Sequence, residues 1–209
     1  MLTPRIAVLV SGNGTNLQAL IDAQSGGALT SGEIALVVAS RADAYALERA
    51  KRAGIKTAVA AYADCASREA FEAELLDILY ENAIDVIVLA GFLHILSADF
   101  VSRYPERIIN VHPSLIPAFC GRGFYGIKVH EAVLAAGDAV TGATVHMVNE
   151  VPDGGRVLMQ RTVRVQPCDT PETLQRRVME EAEWQLLPAA AELVCQRVRQ
   201  SLNDGEKNA

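Results

Sequence analysis

The stretch RIAVLVSGNGTN, residues 5–16, determines the fold class of this chain. Its first half is a short apolar run, which is typical of a strand buried on both faces of a sheet. A glycine-rich turn follows, and Leu17, Leu20 and Ile21 then fall on one stripe of a predicted helix that begins at about Thr15. A buried strand that leads through glycines into a helix indicates the first unit of a parallel α/β sheet.

The same alternation of strands and helices continues through the first half of the chain. Further buried strands are predicted at Glu33–Ser40, near Thr57–Ala60, at Asp85–Ala90 and at Arg107–Val111, with helices at Asp43–Ala53 and after Ser67. Strands and helices that alternate in this way form a parallel, right-handed, doubly wound sheet.

The second half of the chain has a different pattern. Thr141–Asn149 alternates in polarity, Asp153-Gly154-Gly155 turns the chain, and Val157–Val165 runs back as an antiparallel hairpin. A long terminal helix begins at Thr170, and Pro188 is expected to kink or interrupt it. The predicted fold is therefore α/β and Rossmann-like, with a doubly wound, mostly parallel sheet, a C-terminal antiparallel hairpin and a long terminal helix.

Length and composition limit the possible functions. The chain has 209 residues, half of them hydrophobic, which is enough for one large core, so a single domain over residues 1–209 is expected. The formal net charge of −6 argues against a general nucleic-acid binder. The chain contains no apolar run of about 18 residues, so no membrane span is predicted. The N-terminus lacks a secretory signal pattern, and we therefore expect a cytoplasmic protein without a membrane partner. The four cysteines form no CxxC pair, and no metal site is predicted.

The turn Ser11-Gly12-Asn13-Gly14-Thr15-Asn16 is the first candidate site. Glycines allow the backbone to approach a ligand closely, and the free N–H groups at the start of a helix favour an anion such as phosphate. A dinucleotide fingerprint would need a third glycine where Leu17 stands, and the Gly-Lys-Ser/Thr of a Walker loop is absent. The turn therefore favours a monophosphate over a pyrophosphate, with a plain tight turn as the alternative.

A second candidate site, Asn110-Val111-His112-Pro113, lies at the end of a predicted strand. Ligands bind at the carboxyl ends of parallel strands, and residues two apart on a strand point to the same face. An amide donor beside an imidazole suits a carbonyl that becomes an oxyanion. Asp153 is a third candidate, although Asp-Gly is also an ordinary hairpin turn. His146, polar within an apolar strand, is either functional or a satisfied core histidine.

Five segments occur along the chain in a characteristic order: SGNGTN at 11–16, LAGFLHIL at 89–96, NVHPSLIP at 110–117, TGATVHMV at 141–148 and PDGG at 152–155. Together they resemble the formyltransferase family that uses 10-formyltetrahydrofolate, and the Asn-x-His-Pro-Ser-Leu-(Leu/Ile)-Pro segment is highly specific to it. The first loop and the chain length are similar to those of the family members that act on glycinamide ribonucleotide.

The resemblance implies a role for each candidate residue. The implied catalytic residues are Asn110, His112 and Asp153, and the substrate phosphate is expected at the backbone N–H groups of Gly14, Thr15 and Asn16. The remaining implied ligand contacts are Arg68 and Glu183 for the substrate, and Leu89, Leu93, His94, Ile95 and Leu96 for the folate pterin. The implied partners are small molecules, glycinamide ribonucleotide and the reduced-folate co-substrate, without a metal, bound to a monomer or a homodimer.

Two departures from the family pattern concern ligand contacts. His94 stands where an arginine is common, and a neutral histidine does not bind the folate carboxylate as an arginine does. The last helix has one extra residue between Arg177 and the glutamate matched to Glu183, and Trp184 replaces a histidine.

The resulting hypothesis is direct formyl transfer to a primary amine, with the oxyanion met by Asn110 and by a protonated His112 that pairs with Asp153. The nearest alternative is a hydrolase on the same scaffold, but a hydrolase has no phosphate to hold. A nicotinamide-dependent oxidoreductase would use Arg41 for a 2′-phosphate, but it leaves the Asn-Val-His-Pro segment unexplained. A non-catalytic nucleotide-binding module would leave His112 dispensable except for stability.

Overall fold

The computed structural model describes residues 2–207, and within them it forms a seven-stranded sheet. The strands are β1 Arg5–Val10, β2 Glu33–Ala39, β3 Lys56–Val59, β4 Val86–Leu89, β5 Ile108–His112, β6 Val140–Met147 and β7 Val157–Arg164. Their order across the sheet is β3-β2-β1-β4-β5-β6-β7. Strands β1 to β5 pair in parallel, and β6 pairs antiparallel with both β5 and β7. The predicted doubly wound sheet with a C-terminal hairpin is therefore confirmed.

Helices cover both faces of this sheet. They are α1 Thr15–Ser25, α2 Ala46–Arg52, α3 Arg68–Glu81, α4 Ala98–Ser102, α5 Ile127–Ala136, α6 Pro171–Val178 and α7 Trp184–Lys207. A 3₁₀ turn lies at Tyr62–Asp64, and a π-helical turn at Met179–Glu183 joins α6 to α7. None of these described helices is both long enough and apolar enough to cross a membrane.

Strand β1 shows why an uninterrupted apolar run is needed at the centre of the sheet. Ile6, Val8 and Val10 pack on one face, in the cluster that contains apolar residues of α1 and α7, and Ala7 and Leu9 pack on the other, with residues of α3. Because neighbouring residues of a strand point to opposite faces, a strand covered on both faces must be apolar at every position. Burial of one large aliphatic side chain contributes about 1.5–3 kcal/mol.

The strand order reverses at β1, and this reversal positions the site. From β1 the chain moves outward to β2 and β3, and it then returns to β4 on the other side of β1. A crevice opens beyond the carboxyl ends of the strands at such a reversal, and ligands bind there. The turn after β1, the segment after β4 and the end of β5 all border this crevice. The fold thus brings together three of the segments singled out from the sequence.

Some helices differ from the sequence-based expectation. Helix α2 begins at Ala46 rather than at Asp43, because Asp43 lies in the preceding turn, where it pairs with Arg41. Helices α4 and α5 were not predicted. The boundaries of α5 are nevertheless visible in the sequence, since Gly137 follows it with a φ of 72°, the left-handed conformation common just beyond a helix.

Pro188 was expected to kink or interrupt the terminal helix, but the interruption lies before it and not at Pro188. Pro188 lies within α7. The interruption is the π turn, in which the backbone N–H of Trp184 bonds to the carbonyl of Met179, five residues earlier. A π turn accommodates one extra residue in an otherwise continuous helix. It coincides with the extra residue that the sequence shows after Arg177.

Candidate active site

A cavity of about 520 Å³ lies beyond the carboxyl ends of β1, β4 and β5. Its walls also include the turn of the β6–β7 hairpin, the loop before α5 and the π turn. The residues singled out from the sequence that line it are Asn16, Leu89, Leu93, His94, Ile95, Leu96, Asn110, His112, Asp153 and Glu183. Gly14, Thr15 and Arg68 are not among its lining residues. The structure therefore gathers most of the predicted contacts around one space.

Asn110, His112 and Asp153 converge on this cavity. Asn110 and His112 are two apart on β5 and point to the same side, while Asp153 reaches them from the hairpin turn. The Asn110 Nδ2 atom lies 3.4 Å from Asp153 Oδ1, and His112 Nδ1 lies 3.5 Å from Asp153 Oδ2. The backbone N–H of Gly121 donates to Asp153 Oδ2 at 2.8 Å. The Asp153 carboxylate thus lies within contact distance of both an amide and an imidazole.

His112 is placed between two acceptors. Its Nε2 lies 2.8 Å from the carbonyl oxygen of Phe119, and a carbonyl oxygen only accepts, so Nε2 carries a hydrogen. Its Nδ1 faces the Asp153 carboxylate. In a neutral ring with its hydrogen on Nε2, the lone pair of Nδ1 would point at this carboxylate. The imidazolium form donates in both directions. The buried ring, only 4 % exposed, is therefore held between the Phe119 carbonyl and the Asp153 carboxylate.

Asp153 stays ionised in this setting. Burial raises the pKa of its carboxyl, but the hydrogen bond with His146, the positive charge of His112 and the Gly121 N–H together outweigh burial and hold that pKa below the usual range. Its φ of 55° is in the left-handed region, which is uncommon for a residue other than glycine. Residues held in this way cluster at functional sites, so Asp153 is more than an ordinary turn residue.

His146 also belongs to this cluster. Its Nδ1 lies 2.8 Å from the carbonyl oxygen of Met147, and its Nε2 lies 3.2 Å from Asn110 Nδ2 and 3.5 Å from Asp153 Oδ1. The contact with Asn110 arises because the two residues are directly opposite in the antiparallel β5–β6 pair. The sequence left His146 open between a functional and a core residue, and the structure places it beside the predicted trio.

The turn after β1 leaves backbone N–H groups free at the start of α1. Gly14 adopts a φ of 75°, and the backbone N–H groups of Gly14, Thr15 and Asn16 bond to no other group of the described residues. Such free N–H groups at a helix start favour an anion. Arg49 of α2, which the sequence analysis did not single out, steadies the turn: its Nε donates to the Asn13 carbonyl at 2.9 Å and its Nη2 to Asn13 Oδ1 at 3.1 Å.

Glu183 faces the cavity from the π turn. The Asn16 Nδ2 group donates to its Oε2 at 2.6 Å, which links the π turn to the turn after β1. Burial raises the pKa of Glu183 to about 7, with the Asn16 hydrogen bond acting in the opposite direction. Near neutral pH this side chain therefore offers either a carboxylate or a carboxylic acid to a ligand.

The segment after β4 forms an apolar wall. Leu89 and Leu96 are buried, whereas Leu93 is 62 % and Ile95 is 47 % exposed. Tyr125 and Val151, on other walls of the cavity, are also exposed. Apolar side chains gathered around a cavity in this way suit a flat, largely apolar ligand.

His94 lines the cavity within this wall, and Arg68 supports the wall from behind. The His94 ring stacks on Tyr62, with ring centroids 4.6 Å apart, and burial lowers its pKa, so it is neutral at pH 7. Arg68 donates to the carbonyl of Ile95 at 2.8 Å and pairs with Glu72. Arg68 therefore holds the backbone of the wall rather than lining the cavity.

In the part of the chain that the structure describes, no group of three or more His, Cys, Asp and Glu side chains is arranged to hold a metal ion.

The fold and the amide, imidazole and carboxylate at its crevice agree with the comparison with known proteins. A model of the formyl transferase family matches residues 4–191, and the chain belongs to that family.

Among individual relatives, the chain is 40% identical over 184 residues to phosphoribosylglycinamide formyltransferase of Haemophilus influenzae, covering 88% of this chain and 84% of that protein. The crystal structure of glycinamide ribonucleotide transformylase 1 from Symbiobacterium toebii superposes with a TM-score of 0.86 at 40% identity, covering 93% of this chain and 88% of that one. The chain is also 44% identical over 190 residues to the trifunctional purine biosynthetic protein adenosine-3 of Gallus gallus. That match covers 91% of this chain but only 18% of the length of that relative.

Proposed function

We propose that this protein transfers the formyl group of 10-formyltetrahydrofolate to the primary amine of glycinamide ribonucleotide, a step of purine biosynthesis. The observation that carries the proposal is the convergence of Asn110, His112 and an ionised Asp153 on one cavity. This set matches the needs of acyl transfer, in which a carbonyl oxygen becomes negative and an attacking amine loses a proton. The family and the names of the relatives support the same reaction.

The cavity has a suitable side for each substrate. The exposed Leu93 and Ile95 offer an apolar surface to the pterin of the folate. The turn that ends at Asn16 offers backbone N–H groups to the phosphate of the ribonucleotide, and Glu183 lies beside it for a sugar hydroxyl. The trio lies between these two sides, where the amine and the formyl group meet.

In the proposed mechanism the amine nitrogen attacks the formyl carbon. The Asn110 amide donates to the oxygen as it becomes an oxyanion, and the buried charge of His112 stabilises the same oxygen. Asp153 keeps His112 charged and receives, through water, the proton that the amine loses. The oxyanion then collapses and the C–N bond to the folate breaks, while Asp153 returns its proton through water to the leaving folate nitrogen.

The cytoplasmic location and the monomeric or homodimeric state stay predictions from the sequence.

Removal of each member of the trio tests the proposal. Loss of a single oxyanion donor costs on the order of 10²–10³ in turnover in a well-studied protease, so Asn110→Ala and His112→Ala are each expected to lower kcat at least about 10²-fold with the fold retained. Asp153→Asn is expected to lower kcat as well, because it leaves the charge of His112 without a partner.

Arg41→Ala is the matched control for these variants. Arg41 is exposed, pairs with Asp43, and has a role only if the protein binds a nicotinamide cofactor. We expect this variant to keep the activity of the unmodified protein. Activity within about threefold of the unmodified protein for Asn110→Ala or His112→Ala, well short of the oxyanion effect, would contradict the assignment.

A further inference from the structure

His130 is a buried histidine without a partner. It lies on α5, is 1 % exposed, and neither Nδ1 nor Nε2 has a hydrogen-bond partner among the described residues. His112 and His146, which are buried nearby, have a polar contact at each ring nitrogen. Yet His130 lines the same cavity as these two residues. It is thus an unsatisfied polar side chain at the wall of the candidate active site.

This arrangement is costly unless something binds to the ring. A buried polar group without a partner destabilises a protein, whereas an apolar side chain of similar size packs at the same place without that cost. Buried polar groups without partners are therefore rare in folded proteins. Because His130 lines the cavity, a ligand bound there can supply the partner that its ring nitrogens lack among the described residues.

The surroundings of His130 define the chemistry of that partner. Burial, and then the positive charge of His112, lowers the pKa of His130 to about 4, so the ring is neutral and offers one N–H donor and one lone pair. A neutral ring offers no positive charge to a phosphate or a carboxylate, and an anion would use only its donor. It fits a neutral group that both accepts and donates, such as an amide.

The position of His130 indicates which substrate brings this group. Helix α5 packs against α6, and Gln175 of α6 and Met179 and Glu183 of the π turn line the same cavity. His130 also lies close enough to feel the charge of His112. It therefore fits the side of the cavity proposed for the ribonucleotide, which the π turn borders.

We propose that His130 is a substrate-binding residue whose ring exchanges hydrogen bonds with the carboxamide that joins the reacting amine to the sugar of the ribonucleotide. This inference rests on the proposed function, because it takes glycinamide ribonucleotide as the amine substrate. It adds a contact that orients the amine toward the formyl carbon.

Two substitutions separate binding from packing. His130→Phe keeps the volume but removes both hydrogen-bonding atoms, and His130→Gln keeps a donor and an acceptor. Binding of glycinamide ribonucleotide to each protein is measured by isothermal titration calorimetry, together with the KM for the folate co-substrate and the Tm. For His130→Phe we expect binding about tenfold weaker, an unchanged KM for the folate, and a Tm equal to or above that of the unmodified protein. For His130→Gln we expect binding within about threefold of the unmodified protein.

A second measurement does not depend on the stability of the Phe variant. The ring nitrogens of His130 are observed by NMR in protein labelled with ¹⁵N-histidine, and His130→Gln identifies their signals. We expect them to shift when glycinamide ribonucleotide is added.

The inference is overturned if the ring signals do not shift on addition of the ribonucleotide. It is also overturned if His130→Phe binds as tightly as the unmodified protein, or if His130→Gln weakens binding as much as His130→Phe. If the unmodified protein binds no glycinamide ribonucleotide, the proposed function itself fails, and that result is distinct from the other three.

Discussion

Asp153 determines the charge balance of the cavity. Its two oxygens contact His112, His146 and Asn110, and one of them accepts a hydrogen bond from the backbone N–H of Gly121. An uncharged residue of the same shape would leave the buried charge of His112 unpaired, which is strongly unfavourable. The carboxylate therefore stabilises the site and performs the proposed chemistry at the same time.

Glu183 gives a pH-dependent prediction with a definite sign. Its pKa is raised from 4.5 to about 7 in the folded protein, so its contribution to stability is fully present below pH 4.5 and is lost as the pH rises through 7. Glu183→Gln removes this dependence. In urea unfolding, the stability of the unmodified protein relative to Glu183→Gln is expected to fall by on the order of 2 kcal/mol between pH 5 and pH 8.5.

Glu192 is the matched control for Glu183, because its pKa is shifted in the opposite direction. Burial raises the pKa of Glu192, but hydrogen bonds from Ser31, Thr30 and Gln196 outweigh it and lower the pKa to about 2. Its contribution is present above pH 4.5 and is lost only as the pH falls through 2. The stability difference for Glu192→Gln should therefore stay constant over the tested range. A constant difference for Glu183→Gln as well would mean that Glu183 is ionised throughout.

At the scale of single residues, the sequence identified which side chains suit the chemistry better than it identified which side chains contact one another. Asn110 and His112 were predicted together because their spacing on a strand places them on one side. His146 was left undecided because its contact with Asn110 depends on the register of β5 against β6. That register joins distant parts of the chain, and periodicity within one segment does not report it.

At the scale of elements, the turn between β1 and α1 depends on close packing against α2. A Cβ atom on Gly14 would lie 2.6 Å from the Cβ atom and 2.9 Å from the Cα atom of Ala46, and the φ of 75° is strained for any side chain. A Cβ atom on Gly12 would meet nothing within 4 Å. A side chain is therefore sterically excluded at Gly14, whereas the space at Gly12 accommodates one.

We predict that Gly14→Ala destabilises the protein by about 2 kcal/mol or more, and that Gly12→Ala changes stability by less than about 1 kcal/mol. Gly14→Ala should also weaken ribonucleotide binding, because the turn must move away from α2. Urea unfolding and calorimetry of ribonucleotide binding measure the two effects. Equal stability loss in the two variants would show that contact with Ala46 does not fix the turn.

The terminal helix shows where reasoning about elements fails. The interruption was predicted at Pro188, because proline breaks helices. It lies instead at the π turn, which accommodates the extra residue after Arg177. The comparison with the family pattern detected that residue, whereas helix propensity did not. The π turn carries Glu183 to the cavity, where it meets Asn16.

At the scale of the whole molecule, the site is assembled where the sheet changes direction. The parallel strands β1, β4 and β5 were predictable from their apolar runs, and the carboxyl ends of such strands define a crevice. The hairpin then adds β6 and β7 beyond β5, and its turn carries Asp153 back to His112. The class of sheet and most of the site thus followed from the sequence. The unexpected helix α5, with the unpartnered His130, did not.

Formyl transfer to the ribonucleotide is tested most sharply by a formyl balance on the purified protein. The loss of the formyl group from 10-formyltetrahydrofolate is followed with and without glycinamide ribonucleotide. We expect loss only when the ribonucleotide is present, with one formylated ribonucleotide formed for each formyl group lost. Equal loss without the ribonucleotide would contradict the proposed function, because water would then be the acceptor and the protein would be a hydrolase.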